Sequence, residues 1–206
     1  FLILGFCMGV CNGFSIPVAQ KFGAKDESGL RRFVANSVWL SVIFAAVMTV
    51  VVCILCRQIL IWMDTPANIL EGSYRYIFVI FLGIPVTYLY NLLSGIMRAL
   101  GDSKTPLIFL ILSSVLNILF DLGAILILHM GVTGAAWATV TAQAISGVLC
   151  LIYMKKKYTI LKISKDEWKL NGSCIARLCG MGIPMGLQYS ITAIGSVVLQ
   201  TAVNRL

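Results

Sequence analysis

Long apolar runs alternate with short charged breaks along the whole chain. The runs cover roughly 1–20, 33–56, 76–97, 106–128, 132–154 and 174–203. The breaks fall at Lys21–Arg32, Arg57–Glu71, Arg98–Thr105, His129–Gly131 and Lys155–Ser173. A helix that crosses a hydrocarbon core needs about 20 mostly apolar residues at about 1.5 Å of rise each. All six runs are long enough. Apolar positions within a run are continuous rather than alternating, which excludes the strands of a barrel. Backbone polar groups in lipid then leave only helices. The pattern predicts an all-α, polytopic transmembrane helix bundle of six spans.

Composition agrees. Of 206 residues, 59% are hydrophobic and 12% are charged, with a mean hydropathy of +0.94; soluble domains carry about 25% charged residues. The net charge of +8 suggests nucleic acid until the basic positions are placed. Lys21, Lys25, Arg31 and Arg32, then Arg98 and Lys104, then Lys155, Lys156, Lys157, Lys162, Lys165 and Lys169 occupy the first, third and fifth breaks. The second holds Arg57 and the fourth holds no Lys or Arg. That asymmetry predicts a multi-pass protein of the cell (plasma or inner) membrane with the basic loops cytoplasmic, and accounts for the charge without nucleic acid. Arg75 and Arg177 sit at span ends, where a long side chain snorkels. Lys155–Ser173 reads either as a solvated linker or as a Lys-rich face against anionic lipid. The seven cysteines lie in or beside apolar runs and read as small buried hydrophobes. Residues 1–20 have neither a basic leader nor a small-residue cleavage site, so they read as a span and not a signal peptide. With no initiator Met, the chain is expected to be a piece cut from a longer protein.

Ionisable groups within spans are costly and mark function by default. Asp121 lies in the fourth run, about 22 Å along a helix entered at Pro106. Ser113, Asn117 and Asp121 are four apart and share a helix face. A carboxylate with an amide one turn away binds a proton or Na⁺; the alternative is an Asp that merely hydrogen-bonds a neighbouring helix. Thr139, Gln143 and Ser146 form a second polar stripe after the small residues 131–136. Thr87, Asn91 and Ser94 form a third, below Pro85, which should kink its helix. Asn12, Ser15 and Pro17 give the first span a similar polar, bent end. Enzyme chemistry has no foothold: His129 is the lone histidine, and neither metal-ligand spacing, a phosphate-binding Gly-rich loop nor a nucleophile elbow is present.

Four segments resemble one family in order. Gly13-Phe-Ser-Ile-Pro-Val-Ala-Gln-Lys-Phe-Gly-Ala-Lys-Asp26, Arg98-Ala-Leu-Gly-Asp-Ser-Lys-Thr-Pro106, Asn117-Ile-Leu-Phe-Asp121 and Gly131-Val-Thr-Gly-Ala-Ala-Trp-Ala-Thr139 are similar to segments of the multidrug and toxic compound extrusion (MATE) family. The resemblance covers helices two to seven. It implies the N-terminal lobe of a two-lobe, twelve-helix transporter: N-lobe helices at 1–154 with the first helix missing, a basic inter-lobe loop at 155–173, and the first C-lobe helix at 174–206. It further implies an antiporter that exports cationic or amphipathic organic compounds by alternating access, in exchange for H⁺ or Na⁺. The family's cation site falls on Asp121, Asn117 and Thr139, with Tyr76, Asn91 and Gln143 as cavity-lining candidates. No cofactor is expected, and no metal beyond Na⁺ at Asp121. Expected partners are small-molecule substrates and membrane lipids around a monomer. A lipid-linked oligosaccharide flippase of the same superfamily and a non-transport membrane bundle are the alternatives.

Overall fold

The computed structural model describes residues 2–62, 66–127 and 129–203. They form α1 (Leu2–Gly23), α2 (Glu27–Trp62), α3 (Ala67–Leu82), α4 (Ile84–Ala99), α5 (Lys104–Leu122), α6 (Gly131–Lys157) and α7 (Gly172–Val203). A π-helical turn, Gly123–Ile127, continues α5, and a 3-10 turn, Thr159–Leu161, follows α6. The helices outrun their apolar cores because hydrogen bonding along a helix does not stop at the lipid boundary. The first connection accordingly shrinks to residues 24–26. There Lys25 takes a left-handed φ of 56°, and Asp26 caps α2 by accepting from the Gly29 N–H at 2.9 Å, a role suited to a short acidic side chain.

Four helical stretches are long and apolar enough to cross a membrane: Leu2–Gly23, Glu27–Trp62, Lys104–Ile127 and Gly131–Lys157. Asn68–Leu82 with Ile84–Ala99 makes a fifth as a bent pair. The expected sixth span forms α7, where Gln188, Tyr189, Ser190, Thr192 and Ser196 dilute the apolar residues; among the described residues it is not one of these five. Among the described residues the spans of this standard thus number four, or five with the bent pair. The kink expected at Pro85 is a full break at Gly83, with the helix axes 42° apart. Proline supplies no N–H and disfavours helical geometry in the residue before it. The ladder restarts where the Thr87 N–H reaches Gly83 O at 3.0 Å.

The chain forms two compact units that share long helices. One comprises Phe1–Ser41, Asn91–Asp102 and Lys155–Leu206; the other comprises Val42–Tyr90 and Ser103–Met154. In the first, Val10, Phe14, Val18, Leu30, Ile96, Met97 and Leu178 are fully buried. Here α1 and α7 cross at backbone contact: a Cβ on Gly9 would lie 2.7 Å from Gly186 Cα, and one on Gly13 2.5 Å from Gly182 Cα. In the second unit Ile84, Tyr88, Ala136, Ala142 and Cys150 form the centre. The cysteines among the described residues are free thiols.

The Lys155–Ser173 connection is fastened at several points. Arg31 Nε donates to Glu167 Oε1 at 2.8 Å, and the Ser164 N–H donates to Glu167 Oε2 at 2.8 Å. Trp39 Nε1 donates to Trp168 O at 3.2 Å, and the Asn171 N–H to the buried Asn36 at 3.0 Å. Lys157 and Tyr158 both donate to Asp102 Oδ2. The Ser164 N–H, and then Arg31, hold the Glu167 carboxyl below its ordinary value of 4.5. A carboxylate with a depressed folded-state value stabilises the structure above its ordinary value, and that contribution fades as pH falls through the folded one. Amide exchange across residues 164–171, corrected for intrinsic rates, is therefore expected to quicken as pH drops below 4.5. Glu167→Gln should produce the quickening at neutral pH. Unchanged exchange in that variant would show that Glu167 does not fasten the segment.

Candidate functional site

Helix α5 is amphipathic in the sense opposite to a soluble helix. Leu107, Ile108, Leu110, Ile111, Val115, Ile118, Leu119 and Leu122 are exposed, whereas Ser113, Asn117 and Asp121 lie on the half-buried face. An apolar exposed face suits lipid, and polar residues turned inward suit a cavity or a helix contact. The spacing that put these three residues on one stripe thus holds, and the stripe faces the protein.

The stripe meets α6. Asn117 Nδ2 donates to Thr139 Oγ1 at 3.0 Å, and Thr139 Oγ1 donates in turn to Ala135 O at 3.0 Å. The Thr hydroxyl is therefore used in both directions, which orients the Asn117 amide. One turn further along α5, Asp121 Oδ1 is buried and has no hydrogen-bond partner among the described residues. Burying an unpaired polar atom costs on the order of 1–3 kcal/mol, and more when the group is charged. The alternative of an Asp stapled through this oxygen to a neighbouring helix has no bond to support it. A proton or a small cation at that oxygen would remove the cost, so the donor set fits an H⁺ or Na⁺ site.

Local backbone holds the carboxyl there. The π-helical turn begins two residues after Asp121, at Gly123; such turns collect at functional positions. The Met130 N–H reaches back to Ala124 O at 3.0 Å. The start of α6 packs directly on this turn, since a Cβ on Gly134 would lie 3.0 Å from Ala124 Cβ. The π-helical turn was not anticipated; Gly123, directly after the apolar-flanked Asp121-Leu122, was the available signal.

Gln143, one turn beyond Thr139 on α6, serves α4. Thr87 Oγ1 donates to Gln143 Oε1 at 2.9 Å, with Gly83 O at 3.2 Å on the same hydroxyl. Val140 fills the helix break, 2.6 Å from where a Gly83 Cβ would stand. Helix α6 thus ties the α5 stripe to the α3–α4 break through Thr139, Val140 and Gln143. Thr87 is the partner that spacing alone did not pair with Gln143. Tyr76 is half-buried on α3, with no hydrogen bond to this cluster among the described residues. Asn91 is half-buried on α4, within the other compact unit.

The model of the MatE family matches residues 1–122, from α1 through Asp121. This chain belongs to the MatE family. Among curated relatives, it is 30% identical over 213 residues to the probable multidrug resistance protein YoeA of Bacillus subtilis, covering 99% of this chain and 46% of that protein. It is 31% identical over 208 residues to the probable multidrug resistance protein YpnP of the same organism, covering 98% and 45%. The MatE chain therefore spans about half the length of these relatives. Among solved structures, an inward-facing multidrug resistance MATE family transporter of the MOP superfamily superposes with a TM-score of 0.85 at 25% identity, over 92% of this chain and 44% of that one. The outward-facing conformation gives 0.88 at 24% identity, over 97% and 45%; at that identity the match speaks to the fold. This is a membrane protein of a transporter family and not an enzyme.

Proposed function

We propose that this chain is the N-lobe portion of an exporter of cationic or amphipathic organic compounds, driven by H⁺ or Na⁺ exchange at Asp121. The observation that carries the reading is the buried, unpartnered Oδ1 of Asp121, one turn from an amide fixed by Thr139. The relatives' names as multidrug resistance proteins point to the same class of cargo. In this reading Asp121 takes the cation, Asn117 and Thr139 supply neutral oxygens, and Thr87 with Gln143 keeps α6 in register with the α3–α4 break. Residues 1–154 are the N-lobe, 155–173 the inter-lobe connection and 174–206 the opening of the C-lobe. The protein works as a monomer in the cell membrane with its basic loops in the cytoplasm.

The test uses the full-length protein carrying this chain, reconstituted in liposomes loaded with a fluorescent cationic dye. Efflux that follows an imposed H⁺ or Na⁺ gradient supports the reading and identifies the ion. Dye movement that ignores both gradients, from protein shown to be folded, overturns it and favours the flippase alternative.

A further inference from the structure

At one end of the first compact unit, the last turn of α1 and the first turns of α2 and α7 surround an open cavity of about 310 Å³. Its lining is cationic. Lys21, Arg32 and Arg177 contribute charge, Ser28 and Ser173 contribute hydroxyls, and Asp26 is the carboxylate. Asp26 is already committed: Oδ2 accepts from Lys21 Nζ at 2.7 Å and Oδ1 from the Gly29 N–H at 2.9 Å. These bonds, Lys21 first, and more weakly the nearby charge of Arg32, hold its carboxyl below the ordinary 3.8, so it stays charged and offsets chiefly Lys21. Among the described residues, neither the Arg32 nor the Arg177 guanidinium has an ion-pair partner.

The two arginines converge on the start of two helices, whose N-terminal ends carry partial positive charge. The first amides of α7 are capped by Asn171 Oδ1, at 3.0 Å from Ser173 N and 3.4 Å from Cys174 N. Backbone donors there are therefore largely spoken for, and recognition falls to the guanidiniums and the two serines. Planar guanidinium forks and hydroxyls together match a tetrahedral oxyanion. The setting narrows the source of that anion. The cavity lies at the ends of α1 and α2, two helices long and apolar enough to cross a membrane, and the exposed Phe22, Trp168 and Leu170 stand next in sequence to Lys21, Glu167 and Asn171.

We propose that this cavity binds an anionic phosphate group through Arg32 and Arg177, with Ser28 and Ser173 as hydroxyl donors. A glycerophospholipid headgroup and a soluble phosphate ester share that chemistry. The site is separate from Asp121 and does not depend on the transport reading.

The experiment measures thermal unfolding of the full-length protein in neutral detergent while titrating short-chain phosphatidylglycerol, glycerol 3-phosphate or short-chain phosphatidylcholine. Phosphatidylglycerol should raise the melting temperature saturably, and the zwitterionic lipid should not. The double variant Arg32→Gln/Arg177→Gln should weaken the apparent affinity about tenfold or more, the scale of one lost charge-assisted hydrogen bond. Arg32→Lys/Arg177→Lys should restore part of it, and its unfolding without ligand shows that the fold survives. Lys155→Gln/Lys156→Gln, which removes equal charge outside the cavity, should leave binding unchanged. Saturable stabilisation by glycerol 3-phosphate, lost in the same Gln double variant, supports the site with a soluble ligand. Equal affinity in wild type and the Gln double variant, or equal loss in the Lys155/Lys156 control, overturns the proposal.

Discussion

Asp121→Asn in the full-length protein is expected to reduce gradient-driven dye efflux to the level of empty liposomes while leaving the fold intact. The two halves of that result have one cause. Asp121 Oδ1 is buried and makes no hydrogen bond among the described residues, so the substitution removes no bond at that oxygen. It removes a charge whose burial is costly without a partner, and the melting temperature should hold or rise. The amide matches the carboxylate in shape but takes up no proton and contributes no negative charge to a cation. Asn117→Ala gives a useful contrast. It deletes the bond to Thr139, whose hydroxyl keeps its own partner at Ala135 O, so efflux should weaken and its dependence on ion concentration should shift without coupling vanishing. If Asp121→Asn carries dye under a gradient as wild type does, the carboxylate is not where the ion acts. If it instead melts far lower, the residue is structural.

What the sequence made legible follows from which physical terms act locally. Apolar run length depends only on the solvent, so the spans at α1, α2, α5 and α6 and the breaks between them could be placed from residue order. The face shared by Ser113, Asn117 and Asp121 was equally local, because helix geometry fixes it. Pairings between helices were not local. Nothing within α6 says that Thr139 meets Asn117 or that Gln143 meets Thr87; polar residues in spans have several neighbours to choose from, and packing decides. The connection at Lys155–Ser173 was read by its polarity, as a solvated linker or a lipid-facing one. Its polarity was visible, but Glu167 reaches Arg31 across a sequence separation that composition cannot bridge. In α7, Gln188 to Ser196 gives the helix a polar middle. The break at Gly83 was announced by Pro85, but not that Val140 of α6 would pack against it.

The crossing of α1 and α7 yields the second large effect, and it was present in the sequence as two small-residue repeats four apart, Gly9 with Gly13 and Gly182 with Gly186. Such repeats let helix backbones touch where lipid offers no hydrophobic drive for association. The pairing is antiparallel, Gly9 on Gly186 and Gly13 on Gly182. A methyl at position 13 would stand 2.5 Å from Gly182 Cα and 2.6 Å from Met181 O. Both are backbone atoms that cannot rotate aside. Restoring an ordinary contact near about 3.5 Å moves the helices apart by about 1 Å, and overpacking of this kind costs about 1–3 kcal/mol. Gly13→Ala should therefore lower the melting temperature of the full-length protein clearly, and Gly9→Ala/Gly13→Ala should lower it further. Gly180→Ala is the matched control, since a Cβ there meets nothing within 4 Å and alanine is the better helix former; it should be neutral or stabilising. Should Gly13→Ala prove as stable as Gly180→Ala, the two backbones do not touch. Because α7 opens the proposed second lobe, the crossing is also where the lobes would move against each other. Phe6, Val10 and Phe14 of α1 stand where Cβ atoms on Gly186 and Gly182 would lie, so the seam leaves no room for a methyl, and Gly13→Ala is expected to slow efflux in protein that still folds.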